Sequence, residues 1–118
     1  MRAALADAAL SPRDLGFVNL HGTGTVYNDA MELAALRRLY GISESAALPV
    51  CAFSTKPLTG HCLGAAGAIE AALCCLRLIS DFSADADNQQ LTTNSFASYS
   101  LSNSFAFGGS NATVIFGR

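Results

Sequence analysis

Charge is scarce in this sequence: 14% of its 118 residues are charged against 51% hydrophobic, and the formal net charge is −2. No Lys/Arg cluster occurs, and the sequence pI is about 5.5. Nucleic acid and an anionic membrane surface are therefore not expected as partners. The same balance excludes an intrinsically disordered chain, and the length suits one small domain with its own core.

Cysteine is present without its usual patterns. Cys51, Cys62, Cys74 and Cys75 include no Cys-x-x-Cys pair, which argues against a disulfide framework or a zinc site. They read as buried, reduced thiols of a cytosolic protein. No metal site is expected at His61 and Cys62, because adjacent side chains point apart. The start "MRAALADAAL" contains Asp7 and has no long apolar core, so no signal peptide is expected. "CLGAAGAIEAALCCLRLI" is long and apolar, but Glu70 and Arg77 interrupt it. It is expected to be a helix buried in protein, not a membrane span. No internal repeat is visible. The Gly-x-x-x-x-Gly-Lys-Ser/Thr loop is absent, and "GHCLGAAG" lacks Gly-x-Gly-x-x-Gly spacing. A phosphate cradle at "HGTGT" is thereby left as a weak reading.

What is there alternates between strand and helix. "RAALADAAL" reads as helix and "SPRDL" as a turn or a short helical start. "GFVNLHG" reads as a buried strand. "NDAMELAALRRLYG" reads as a helix capped by Asn28 or Asp29, with Arg37 and Arg38 in its last turn and Gly41 as its stop. "LPVCAFSTK" is a second strand leaving through Pro57 into a loop, and "GHCLGAAGAIEAALCCLRLI" a second helix. Residues 81–97 read as loop, and "SYSLSNSFAFGGSNATVIFG" as two strands around a turn at Phe107 to Ser110. The order predicts an α/β layer. So much apolar surface also suggests that it packs against more protein.

Both histidines, His21 and His61, stand beside glycine where a strand hands over to a helix. Ligands of α/β layers collect at the carboxyl ends of strands. A neutral imidazole there can donate a hydrogen bond to a carbonyl oxygen as it becomes an oxyanion, and a second can share that load or move a proton. Lys56 precedes His61 in the second loop, where it is either a solvated surface lysine or a group that orients a neighbour. Glu70 lies among Ala, Ile and Leu in a helix. A carboxylate buried there needs a partner, and support of Lys56 is the expected role.

Three segments together resemble one family. "HGTGT", "KPLTGHCLGAAG" and "NSFAFGGSNA" are similar, in order and spacing, to the C-terminal motifs of β-ketoacyl-[acyl carrier protein] synthases. The resemblance implies a thiolase-like layered α/β fold, a central mixed sheet with buried and covering helices. It also implies decarboxylative condensation of malonyl on an acyl carrier protein with an acyl group held on a cysteine. By motif position His21 and His61 resemble the histidines that stabilise the malonyl enolate. Lys56 resembles the active-site lysine and Glu70 its acid. Thr23 and Thr25 resemble contacts of the phosphopantetheine arm. Phe107 resembles the gating phenylalanine, with Phe105, Gly108 and Gly109 shaping its loop, and Asp29 and Glu32 match acids beyond the first histidine.

The resemblance further implies an acyl carrier protein and a dimer, with an identical or a related subunit, as partners. It implies no cofactor beyond the carrier's phosphopantetheine. None of the four cysteines stands in the family's nucleophile context, so residues 1–118 are expected to be a C-terminal half, inactive without an N-terminal half. The link from Ile79 to Ser100 is shorter than is usual in the family. A catalytically silent partner of the chain-length-factor type, or a thioester-binding module, stands as the alternative; retention of His21, His61 and Lys56 favours the enzyme.

Overall fold

The computed structural model describes residues 1–79 and 98–118. The expected loop at 81–97 and the short link lie outside the described residues. The elements run α1 (Arg2–Asp7), β1 (Leu15–Asn19), α2 (Val26–Tyr40), β2 (Cys51–Phe53), α3 (Lys56–Thr59), α4 (Ala66–Ile79), β3 (Tyr99–Ala106) and β4 (Ser110–Gly117). Single 3-10 turns occupy Pro12–Asp14 and Leu63–Ala65.

The described strands form one mixed sheet in the order β2-β1-β3-β4. β1 runs parallel to β2 on one side and to β3 on the other, and β3 and β4 make an antiparallel hairpin. The chain therefore leaves β1 toward one neighbour and later returns to its other side. The loops after β1 and β2 consequently gather at the same sheet end, the arrangement that opens a crevice in α/β folds.

Successive residues of a strand face opposite ways, and β1 uses both faces. Val18 joins Leu5, Leu15, Leu36 and Leu101 in the core cluster, which puts α2 on that face. Phe17 meets the Phe53 ring at 4.8 Å and lies under the Arg77 guanidinium of α4 at 4.7 Å, so α4 covers the other. The alternation continues in β3, where Asn103 bonds to Glu32 of α2 and Ser102 to Asn19.

Five local expectations are corrected. α2 begins at Val26, with Thr25 at the N-cap in extended conformation, and Asn28 and Asp29 lie inside its first turn. The Asp29 N–H already bonds to the Thr25 carbonyl, so the helical ladder starts earlier than the acids suggest. Gly41 ends α2 as expected, in the left-handed conformation. Pro57 leads into no loop but sits in the first turn of α3, where its missing N–H costs no hydrogen bond. The following helix starts at Ala66 and not at Gly60, because Gly60 (φ 74°) and Leu63 (φ 47°) break the helical path. Finally, α4 is buried along one stripe, Ala66, Glu70, Cys74 and Leu78, while Leu76 and Ile79 are exposed. The expected burial holds for one face only. Cys74 is buried, Cys51 and Cys75 are partly buried, and Cys62 is exposed, so the expected burial of thiols fails at Cys62. Burial pushes the Cys74 thiol up to about 12, which leaves it protonated. Among the described residues no helix is long and apolar enough to cross a membrane.

Candidate active site

The loop after β1 carries His21, and three side chains hold its backbone. Glu32, one turn and more into α2 and almost wholly buried, accepts the His21 N–H at 2.9 Å and the Gly22 N–H at 3.0 Å. Asn103 donates to the same carboxylate at 3.1 Å, and Thr113 donates to Asn103 at 3.0 Å. Lys56, the first residue of α3, donates through Nζ to the His21 carbonyl at 2.5 Å. A carboxylate that receives three N–H groups has its burial offset by charge-assisted hydrogen bonds.

Lys56 also forms a buried ion pair with Glu70 of α4. The expected support of Lys56 by Glu70 is what the geometry shows. Among the described residues the second Glu70 oxygen is buried without a hydrogen-bond partner, as is His21 Nδ1. Below this layer Thr55 donates to Asn19 at 3.3 Å and Asn19 to Ser102 at 3.2 Å, which ties β2 and β3 to the end of β1.

His61 lies on the exposed stretch between α3 and α4. Its ring stands 5.8 Å from that of His21, centroid to centroid, at 86°, and Phe105 meets His21 at 5.5 Å and 66°. Burial and, less strongly, the Lys56 charge hold the His21 imidazole below its ordinary 6.5, outweighing Glu32 and Glu70. His21 is therefore neutral at pH 7. A neutral imidazole can donate one hydrogen bond to a developing oxyanion without first giving up a charge.

The expected residues thus divide. His21, His61, Lys56, Glu70 and Phe105 come together in one cluster. Thr23 is half-buried and Thr25 exposed, and their hydroxyls stand 3.2 Å apart. Phe107 is fully exposed at the hairpin tip beside Gly108 and Gly109, both at positive φ. Asp29 is half-buried and takes a hydrogen bond from Asn28; it lines a pocket of about 240 Å³ with Gly22, Glu32, Ser54 and Pro57. The Glu32 carboxylate is taken up by the His21 and Gly22 N–H groups and the Asn103 amide. Asn19, Ser54 and Asn103 escaped the sequence reading. Only Asn103 carried a signal, as the first letter of "NSFAFGG". Among the described residues no group of three His, Cys, Asp or Glu side chains is gathered that could hold a metal ion.

Comparison with known proteins gives the family. Residues 1–89 match the family model described as "Beta-ketoacyl synthase, C-terminal domain". The chain belongs to the β-ketoacyl synthase family. Nodulation protein E of Rhizobium leguminosarum bv. trifolii is 39% identical over 128 residues, spanning 98% of this chain and 31% of that protein. 3-oxoacyl-[acyl-carrier-protein] synthase 2 of Vibrio cholerae serotype O1 is 34% identical over 132 residues, spanning 100% of this chain and 31% of that protein. Among solved structures, the ishigamide ketosynthase/chain length factor aligns with a TM-score of 0.80 at 32% identity, over 98% of this chain and 31% of that one. A ketosynthase in complex with its chain length factor from Xenorhabdus doucetiae aligns with a TM-score of 0.76 at 39% identity, over 99% of this chain and 32% of that one. The thiolase-like α/β fold expected from the motifs is borne out. The chain spans about a third of the length of these relatives.

Proposed function

We propose that this chain supplies the C-terminal part of a β-ketoacyl-[acyl carrier protein] synthase. It would act in the cytoplasm on malonyl and acyl thioesters in fatty acid or polyketide-type synthesis. The observation that carries this reading is the pair of imidazoles 5.8 Å apart, one of them buried, neutral and backed by the Lys56–Glu70 pair. His21 and His61 each donate an N–H to the malonyl thioester carbonyl. The bond to the malonyl carboxylate breaks, CO2 leaves, and its electron pair passes to that carbonyl oxygen as an enolate. The enolate carbon then attacks the acyl thioester carbon, and the thiolate of a cysteine outside residues 1–118 departs with its electron pair. Thr23, Thr25 and the glycine-rich hairpin tip lie along the approach of the phosphopantetheine arm.

In this reading the protein works joined to an N-terminal half, as a dimer with an identical or a related subunit, and with acyl carrier protein as its partner; the chain alone is inactive. The test is to incubate the full-length protein with malonyl- and acyl-acyl carrier protein and to look for the β-ketoacyl product by mass. Product formed through an acylated cysteine supports a synthase. Its absence, with another residue at the nucleophile position, makes the protein a silent partner.

A further inference from the structure

The polar backbone groups of His21 and Gly22 are all engaged. Glu32 takes both N–H groups, Lys56 Nζ holds the His21 carbonyl, and the Ser54 hydroxyl donates to the Gly22 carbonyl at 2.8 Å. The same Ser54 oxygen accepts the Lys56 backbone N–H at 3.3 Å, so one hydroxyl bridges the two loops as donor and acceptor at once. Gly22 lets the backbones meet. Its φ is +35°, and a Cβ there would lie 2.5 Å from the Ser54 Cβ and 3.0 Å from its oxygen.

We propose that Ser54 is a positioning residue for the condensation site: it latches the His21 loop to the Lys56 loop and so sets His21 against Lys56. This rests on the reading of His21 and Lys56 as reaction groups. A latch that only stabilised the β2–α3 turn would change melting temperature and leave turnover alone. A latch that aims His21 changes turnover, because small displacements of a reacting group lower rate more than binding.

The experiment measures CO2 release from malonyl-acyl carrier protein by the full-length protein. Ser54→Ala is expected to lower kcat about tenfold with KM within about twofold, and Ser54→Thr, which keeps the hydroxyl, to restore most of the loss. Gly22→Ala, which forces the loops apart, is expected to lose more, and adding Ser54→Ala to it to cost nothing further. An unsubstituted protein that releases no CO2 overturns the underlying reading of the site. A working protein whose Ser54→Ala form keeps kcat within about twofold, or whose double variant shows the product of the two single losses, overturns the latch alone.

Discussion

The two histidine loops are built in opposite ways. The His21 loop is fixed inside the chain: His21 is 9% exposed, and buried charged side chains hold its backbone. Among the described residues the His61 loop has no comparable frame. His61 and its neighbours Gly60, Cys62, Leu63 and Gly64 are exposed, and Gly60 would meet nothing with an added Cβ. One half of the proposed enolate site is thus preorganised by these residues alone. The other waits for whatever covers it, and this contrast can be broken or sharpened by substitution.

The largest effect should come from the ion pair behind His21. In the full-length protein Glu70→Ala leaves the Lys56 charge buried and should destabilise by about 3–5 kcal/mol in denaturant melts. The double change Lys56→Met with Glu70→Leu should recover most of that stability while turnover stays lost. Recovery of turnover as well would remove Lys56 from the chemistry. Next comes Glu32→Gln, which replaces one acceptor oxygen by an NH2 facing backbone donors and should cost about 2–3 kcal/mol, read as a lower denaturant midpoint. Glycine substitutions then compare the loops directly. Gly22→Ala adds a clash with Ser54 to the strain of a positive φ and should lower stability by about 3 kcal/mol or more, whereas Gly60→Ala, at φ 74° and ψ 169°, meets no atom and should cost about 1–3 kcal/mol of backbone strain alone. Equal losses would erase the contrast.

The smallest expected effect is on pH dependence. His21 is held below its ordinary 6.5 in the folded state. On acidification the unfolded chain binds that proton first. The stabilisation is therefore complete above about pH 6.5 and is lost as pH falls toward the folded value. Midpoints measured at pH 7.5 and 5.5 should converge in His21→Gln relative to the unsubstituted protein. Parallel shifts in the two proteins would place the titration elsewhere.

The sequence made the proposed reacting groups visible and left their frame hidden. His21 and His61 stand out because histidines beside glycine at strand ends are chemically suggestive, Lys56 by its place in the "KPLTGH" motif, and Glu70 because a carboxylate among alanines demands a partner. The hairpin was legible from its alternation and glycine turn. Asn19, Ser54 and Asn103 act through contacts between residues far apart in the chain, as in the Asn103 bond to Glu32, and no local pattern announces these. Glu32 was picked out by motif position alone. Its burial beneath His21 follows from α2 crossing that face of the sheet. The start of α4 at Ala66 had a signal that went unused, since Gly60, Gly64 and Gly67 weaken a helix over "GHCLGAAG", but nothing in the run shows that Leu63 takes a positive φ.

The most direct test of the enolate assignment is CO2 release from malonyl-acyl carrier protein by the full-length protein carrying His21→Ala or His61→Ala. Loss of an oxyanion donor typically lowers rate by about 10²–10³, and each variant is expected to show a loss of that order with the fold intact. Near-normal release by both variants would contradict the account.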